Sequence, residues 1–188
     1  MAISTKHALS ADEFWELPEK QGVRFELVDG EVVEMPGSTM SHSEFVVIIF
    51  TLLRSYVLKH DLGRVYPDGL SYLLRRNPDT LRIPDVSFIP RDRLPAEGPQ
   101  ESYADIIPGL VVEVVSPGNS AVELRRRTRD YVDSGVEQVW IVWPDDRSVS
   151  VYAGSMTPLE LAAEDTLDGG DVLPGFSVPV ADLFDIEW

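Results

Sequence analysis

The chain has 188 residues, 44% of them hydrophobic and 26% charged, which fits one folded domain with a real core. It contains no cysteine, which excludes disulfide scaffolds, thiolate zinc sites and cysteine nucleophiles. Acidic residues number 32 and basic ones 16, a net charge of −16, so non-specific nucleic-acid affinity should be poor unless basic residues cluster or metal ions intervene.

The N-terminal stretch MAISTKHALSADEF lacks a basic head followed by an apolar segment, so no secretory signal is expected and the default location is cytoplasmic. Ser10-Ala-Asp-Glu13 is a capping-box pattern that opens a short helix ending near Pro18. RFELVDGEVVEM then predicts a hairpin, because Asp29-Gly30 is the strongest two-residue turn signal and strand formers flank it. Ser41-His-Ser-Glu44 predicts a second capped helix running to about His60, stopped by Gly63. Its apolar run, Phe45 to Leu53, falls short of the ~20 residues that span a bilayer.

Short strands are expected near Arg64–Tyr66 and Leu70–Leu74, followed by a turn at Asn77-Pro-Asp. IPDVSFIP reads as a strand bounded by prolines, residues 91–109 as a loop, and GLVVEVVSPG as a strand. Ser120-Ala-Val-Glu123 opens a third helix that runs to Gly135. QVWIVWP is a buried strand paired with SVSVYA, and from Leu159 the tail alternates loop and short strand. The order implies a mixed α/β architecture, with a central sheet flanked by helices and an N-terminal helix and hairpin.

Glu113 is the anomaly, since it interrupts the valines of Leu110–Val115. Such a run marks a strand covered on both faces, and an ionised carboxylate there costs several kcal/mol unless a cation or several donors meet it. Asp85 follows Pro84 at the start of Val86-Ser-Phe-Ile. If the two strands are neighbours, Asp85 and Glu113 converge, and paired carboxylate oxygens suit Mg²⁺ completed by water and substrate phosphate. In the helix that follows, Leu124, Thr128, Tyr131 and Val132 form the core-facing stripe. Arg127 lies on its flank, while Arg125, Arg126 and Arg129 point mostly to solvent.

The segments RIPDVSFIP, LVVEVVSPGNS and RRRTRDYVDSGVEQVWIVWPDD, together with the opening EFWELPEKQGVRFELVDGEVVEMPGSTMSH, carry a resemblance. Over roughly residues 11–152 the chain resembles a bacterial family of restriction-endonuclease-like proteins, a branch of the PD-(D/E)XK nuclease superfamily; residues 153–188 read as a C-terminal extension of the same domain. The resemblance implies a restriction-endonuclease-like core, a phosphodiesterase activity on DNA, and Mg²⁺ (or Mn²⁺) as cofactor. It makes Asp85 and Glu113 metal ligands and adds the carbonyl of Val114 as a third oxygen. It also places Glu26 near the metal and His42 at the start of the long helix. The motif's lysine position, two residues after the acidic one, is Val115 here, and the family's shifted lysine falls at Arg127. Arginine does not deprotonate, so Arg127 would stabilise charge or orient water rather than act as a base. A proton acceptor would then be His42.

Each of these residues also has an ordinary explanation. Glu113 and Arg127 could form a buried ion pair with no chemistry. Glu26 in an alternating strand could face solvent, and His42 could be an exposed first-turn histidine. Glu123 has a complete account as the third residue of a capping box, and Arg127 could pair with it one turn along. Three functions follow: a metal-dependent DNA endonuclease, a nuclease fold that has lost cleavage and serves as a binding or assembly module, or a structural protein. By analogy with enzymes that cut both strands of a duplex, a homodimer is expected.

Overall fold

Turn and cap chemistry sets most element boundaries in the computed structural model, which describes residues 7–18, 22–116 and 118–186. Ser10 caps helix α1 (Ala11–Trp15), and both halves of the box form: Ser10 accepts from the Glu13 amide, and Glu13 accepts from the Ser10 amide. Strands β1 (Phe25–Val28) and β2 (Glu31–Glu34) make the expected hairpin, with Asp29 at φ 54° and Gly30 at φ 76°. Two successive positive φ values are what a type I′ turn requires.

Helix α2 (Met40–His60) departs from expectation at both ends. Its N-cap is Thr39, not Ser41, because Thr39 has the extended backbone and its hydroxyl accepts from the His42 amide at 3.2 Å. Asp61, at φ 58°, supplies the left-handed C-cap. Gly63 instead opens strand β3 (Gly63–Pro67), where a Cβ would stand 2.1 Å from the Ile89 carbonyl oxygen. Taken whole, α2 is long and apolar enough to cross a membrane by length and composition. Here it docks Val46, Ile49, Leu53 and Val57 on the sheet, as a core helix does.

Strands β4 (Tyr72–Arg75) and β5 (Thr80–Arg82) flank the Asn77-Pro78-Asp79 turn. The strand expected at Leu70 begins two residues later, and β5 is too short, at 3 residues, to show a pattern in sequence. Then come β6 (Val86–Pro90), a 3-10 turn at Arg91–Arg93, and β7 (Leu110–Val114). Helix α3 (Ala121–Ser134) runs from its Ser120 cap to Gly135, and β8 (Gln138–Trp143) and β9 (Ser148–Ala153) follow. The tail forms β10 (Leu159–Leu161), β11 (Thr166–Asp168), β12 (Ser177–Pro179) and a 3-10 turn at Val180–Phe184.

The central mixed sheet has six strands in the order β10-β9-β8-β7-β6-β3. Only β7 and β8, joined through α3, run parallel within it. The hairpin belongs to a second sheet of four strands, β2-β1-β5-β4, because Leu27 of β1 registers with Leu81 of β5. Strands β11 and β12 pair separately.

Alternation along β7 separates two cores. Leu110, Val112 and Val114 join the layer under α2, with Trp140, Val142 and the tail residues Leu167, Leu173, Phe176, Val180, Leu183 and Phe184. Val111 joins Tyr72, Tyr131, Val139 and Ile141 on the α3 side. A small third cluster, including Ala11, Leu27, Leu73 and Leu81, ties α1 to the four-stranded sheet.

Candidate active site

Register brings the two acidic residues together. Val86 faces Val112 across the antiparallel β6–β7 pair. Asp85 lies one step before Val86 and Glu113 one step after Val112, so they meet at the same end of adjacent strands. Both line a cavity of about 420 Å³. Glu26, His42, Ser116 and Arg127 also line it. Thus Asp85, Glu113, Glu26, His42 and Arg127, singled out from sequence, converge on one place, and Val114 lines it too.

Asp85 is held from two sides. Its Oδ2 accepts from the Val114 amide at 2.7 Å, and its Oδ1 lies 3.2 Å from His42 Nε2. The other ring nitrogen of His42, Nδ1, lies 2.9 Å from Ser116 Oγ. Asn119 Oδ1 in turn accepts from the Ser116 amide, fixing the loop after β7. His42 is therefore buried in a chain of contacts and is not an exposed first-turn residue. The bond to Asp85 holds its imidazole above the usual histidine range, against the opposing effect of burial.

Glu113 receives the Tyr131 hydroxyl at 2.6 Å and Arg127 Nη1 at 3.1 Å, both on Oε1. Among the described residues no hydrogen bond reaches its Oε2. Burial pushes the Glu113 carboxyl up to about 7; Arg127 pulls the other way, and the nearby Asp85 charge adds to the rise. Burial and the Glu113 charge keep the Tyr131 hydroxyl well above the usual tyrosine range, so it remains a donor.

Glu26 does not face solvent as an alternating strand suggested; it is 1% exposed. Its Oε1 accepts from the Ile83 amide at 2.8 Å, and its Oε2 accepts from both Arg82 and Arg127 at 2.8 Å each. Arg82, fully buried, also binds Glu123 at 3.0 Å and Asp130 at 2.7 and 2.9 Å. The capping-box account of Glu123 is half right: its amide meets Ser120 Oγ, but its carboxylate turns to Arg82. Arg127 does not pair with Glu123; besides Glu26 and Glu113 it reaches the Ile83 carbonyl at 3.3 Å. Of the four neighbouring arginines it alone enters the site, while Arg126 meets the hairpin turn at Asp29, at 2.6 Å. That turn also receives Arg75.

Sequence inspection missed Arg82, Tyr131, Asp130 and Ser116. Tyr131 does lie on the core stripe of α3, but nothing local showed that its hydroxyl would meet Glu113. Arg82 sits in β5, a strand too short to betray its inward face.

Five carboxylates thus surround two guanidiniums and one histidine, an excess of negative charge behind a water-accessible cavity. Among the described residues no three His, Asp or Glu side chains form a ready metal cage. Mg²⁺ does not need one: it takes one or two carboxylates and keeps several waters. Two hard oxygen donors at the ends of adjacent strands fit that demand.

A mixed sheet with helices on both faces, acidic residues at the ends of two neighbouring strands and a cation from the next helix define a restriction-endonuclease-like protein. The chain belongs to the Uma2 family, described as "Putative restriction endonuclease"; residues 11–181 match its family model. A curated relative, "Uncharacterized protein slr1290" of Synechocystis sp., is 28% identical over 136 residues, covering 71% of this chain and 67% of that one. The crystal structure of "a putative nuclease belonging to DUF820" from Anabaena variabilis superposes with a TM-score of 0.82. It covers 94% of this chain and 97% of that one at 21% identity, a likeness of fold.

Proposed function

We propose that the protein is a metal-dependent endonuclease that hydrolyses DNA phosphodiester bonds. The observation that carries this reading is the meeting of Asp85 and Glu113 at one cavity, from adjacent strands, in an excess of negative charge. Asp85 and Glu113 would hold Mg²⁺, or Mn²⁺, with the Val114 carbonyl as a further oxygen. Bound there, the ion lowers the pKa of water and polarises the scissile phosphate. The Val114 amide and His42 fix the Asp85 carboxylate, Tyr131 fixes that of Glu113, and Arg127 offers permanent positive charge to a phosphate in the cavity. His42, held between Asp85 and Ser116, would take the proton from attacking water.

Calorimetric titration with Mg²⁺ and Mn²⁺, together with plasmid cleavage, tests the reading. Wild type should take up metal and cut, while Asp85→Asn and Glu113→Gln should do neither. No metal uptake by wild type ends it. Arg127 on Glu113 and the charge of −16 favour a second reading, a nuclease fold without cleavage that serves as a binding or assembly module. Metal uptake with cleavage only in Arg127→Lys would select that one. Cutting both strands of a duplex would suit a homodimer, which sedimentation velocity checks.

A further inference from the structure

The inference rests on Asp85 and Glu113 as metal ligands. We propose that Arg127 is an internal counter-cation that neutralises Glu113 in the resting protein, and that a divalent ion gains this ligand only in competition with the guanidinium's charge. Arg127 and Arg82 form parts of one network but are placed for different tasks. Arg82 is fully buried behind Glu26, Glu123 and Asp130, with no access to the cavity. Arg127 lies in the cavity wall with its side chain 12% exposed, and it is the only cation on Glu113 among the described residues.

Its other contacts make it releasable. Nη2 stays on Glu26 Oε2 when Nη1 leaves Glu113, and Nη1 already has the Ile83 carbonyl as a second acceptor. Glu26 keeps Arg82 and the Ile83 amide in any case, so Arg127 can shift without stranding a buried carboxylate. Glu113, for its part, keeps the Tyr131 hydroxyl. A lysine at this position could yield to a metal by losing its proton; arginine cannot, and must move or repel. Two cations competing for one carboxylate make metal binding weaker than the donor set alone would give, so neutralising residue 127 should strengthen it.

The test is calorimetric titration of Mg²⁺ into the full chain as wild type, Arg127→Gln and Arg127→Lys. Arg127→Gln should bind about tenfold tighter than wild type, since removing a like charge a few ångströms away favours the ion, and Arg127→Lys should fall between the two, since lysine can shed its proton. Equal or weaker binding by Arg127→Gln, with wild type binding normally, overturns the proposal while leaving the metal site standing. No binding by any of the three removes the metal site and the proposal together. Should Arg127→Gln not fold, arginine side-chain Nε–Hε resonances of the wild type report directly. Saturating Mg²⁺ should move the Arg127 signal and leave Arg82 in place, and an unmoved Arg127 signal refutes the competition.

Discussion

Glu113, a carboxylate among valines, is met by the Arg127 guanidinium and the Tyr131 hydroxyl. Its raised pKa has a consequence for stability. The unfolded chain ionises Glu113 near the ordinary glutamate value of 4.5, the folded chain only near 7. Stability from this group is therefore complete below pH 4.5 and falls as pH rises to about 7. Glu113→Gln should remove that decline, so denaturation midpoints of wild type and variant should converge toward acid pH and separate toward neutral. A wild type that gains stability relative to the variant over the same interval would mean that Arg127 holds Glu113 charged. Arg82→Met should cost about 3–5 kcal/mol in urea denaturation, because Glu26 and Asp130 would lose a buried partner. The residues legible in the chain were those that broke a pattern: Glu113 among valines, Asp85 after a proline, Arg127 on a helix flank. Arg82 and Ser116 broke none, and their roles come from partners 56 and 74 residues away in sequence.

Elements were readable where local chemistry decides them. The Asp29-Gly30 turn, the Ser10 box and the Gly135 cap are each signalled by residues a few positions apart, even though Asp79 and Thr80 add distant hydrogen bonds to the turn and to the start of α1. Helix α2 shows the limit. Thr39 and Ser41 are both good caps, and the choice between them depends on where the incoming loop leaves its extended backbone. Thr39→Ala should therefore cost about 1 kcal/mol, whereas Ser41→Ala should stay within about 0.5 kcal/mol; thermal denaturation of the two variants distinguishes them. Strand β5 stayed invisible because three residues carry no periodicity, although it makes the four-stranded sheet by joining β1 to β4. The partition of strands between the two sheets was likewise beyond local reading, since cross-strand register joins residues as far apart as Leu27 and Leu81.

For the whole molecule, the net charge of −16 sets the terms on which it meets another polyanion. Acidic residues outnumber basic ones by 32 to 16, so DNA binding should be weak without divalent ions, and its dependence on monovalent salt should be shallow. Fluorescence anisotropy with a labelled duplex, with and without Mg²⁺, measures both; tight, steeply salt-dependent binding in EDTA would contradict it. Mg²⁺ should also raise the unfolding temperature of wild type and not of Asp85→Asn, as any ligand specific to the folded state does.

The tail beyond Ala153 has a practical bearing. Leu167, Leu173, Phe176, Val180, Leu183 and Phe184 cover the same layer as Trp140, and Phe176 stacks on its indole at 5.9 Å. An expression plasmid ending at Ala153 would uncover that layer, and its product should collect in inclusion bodies.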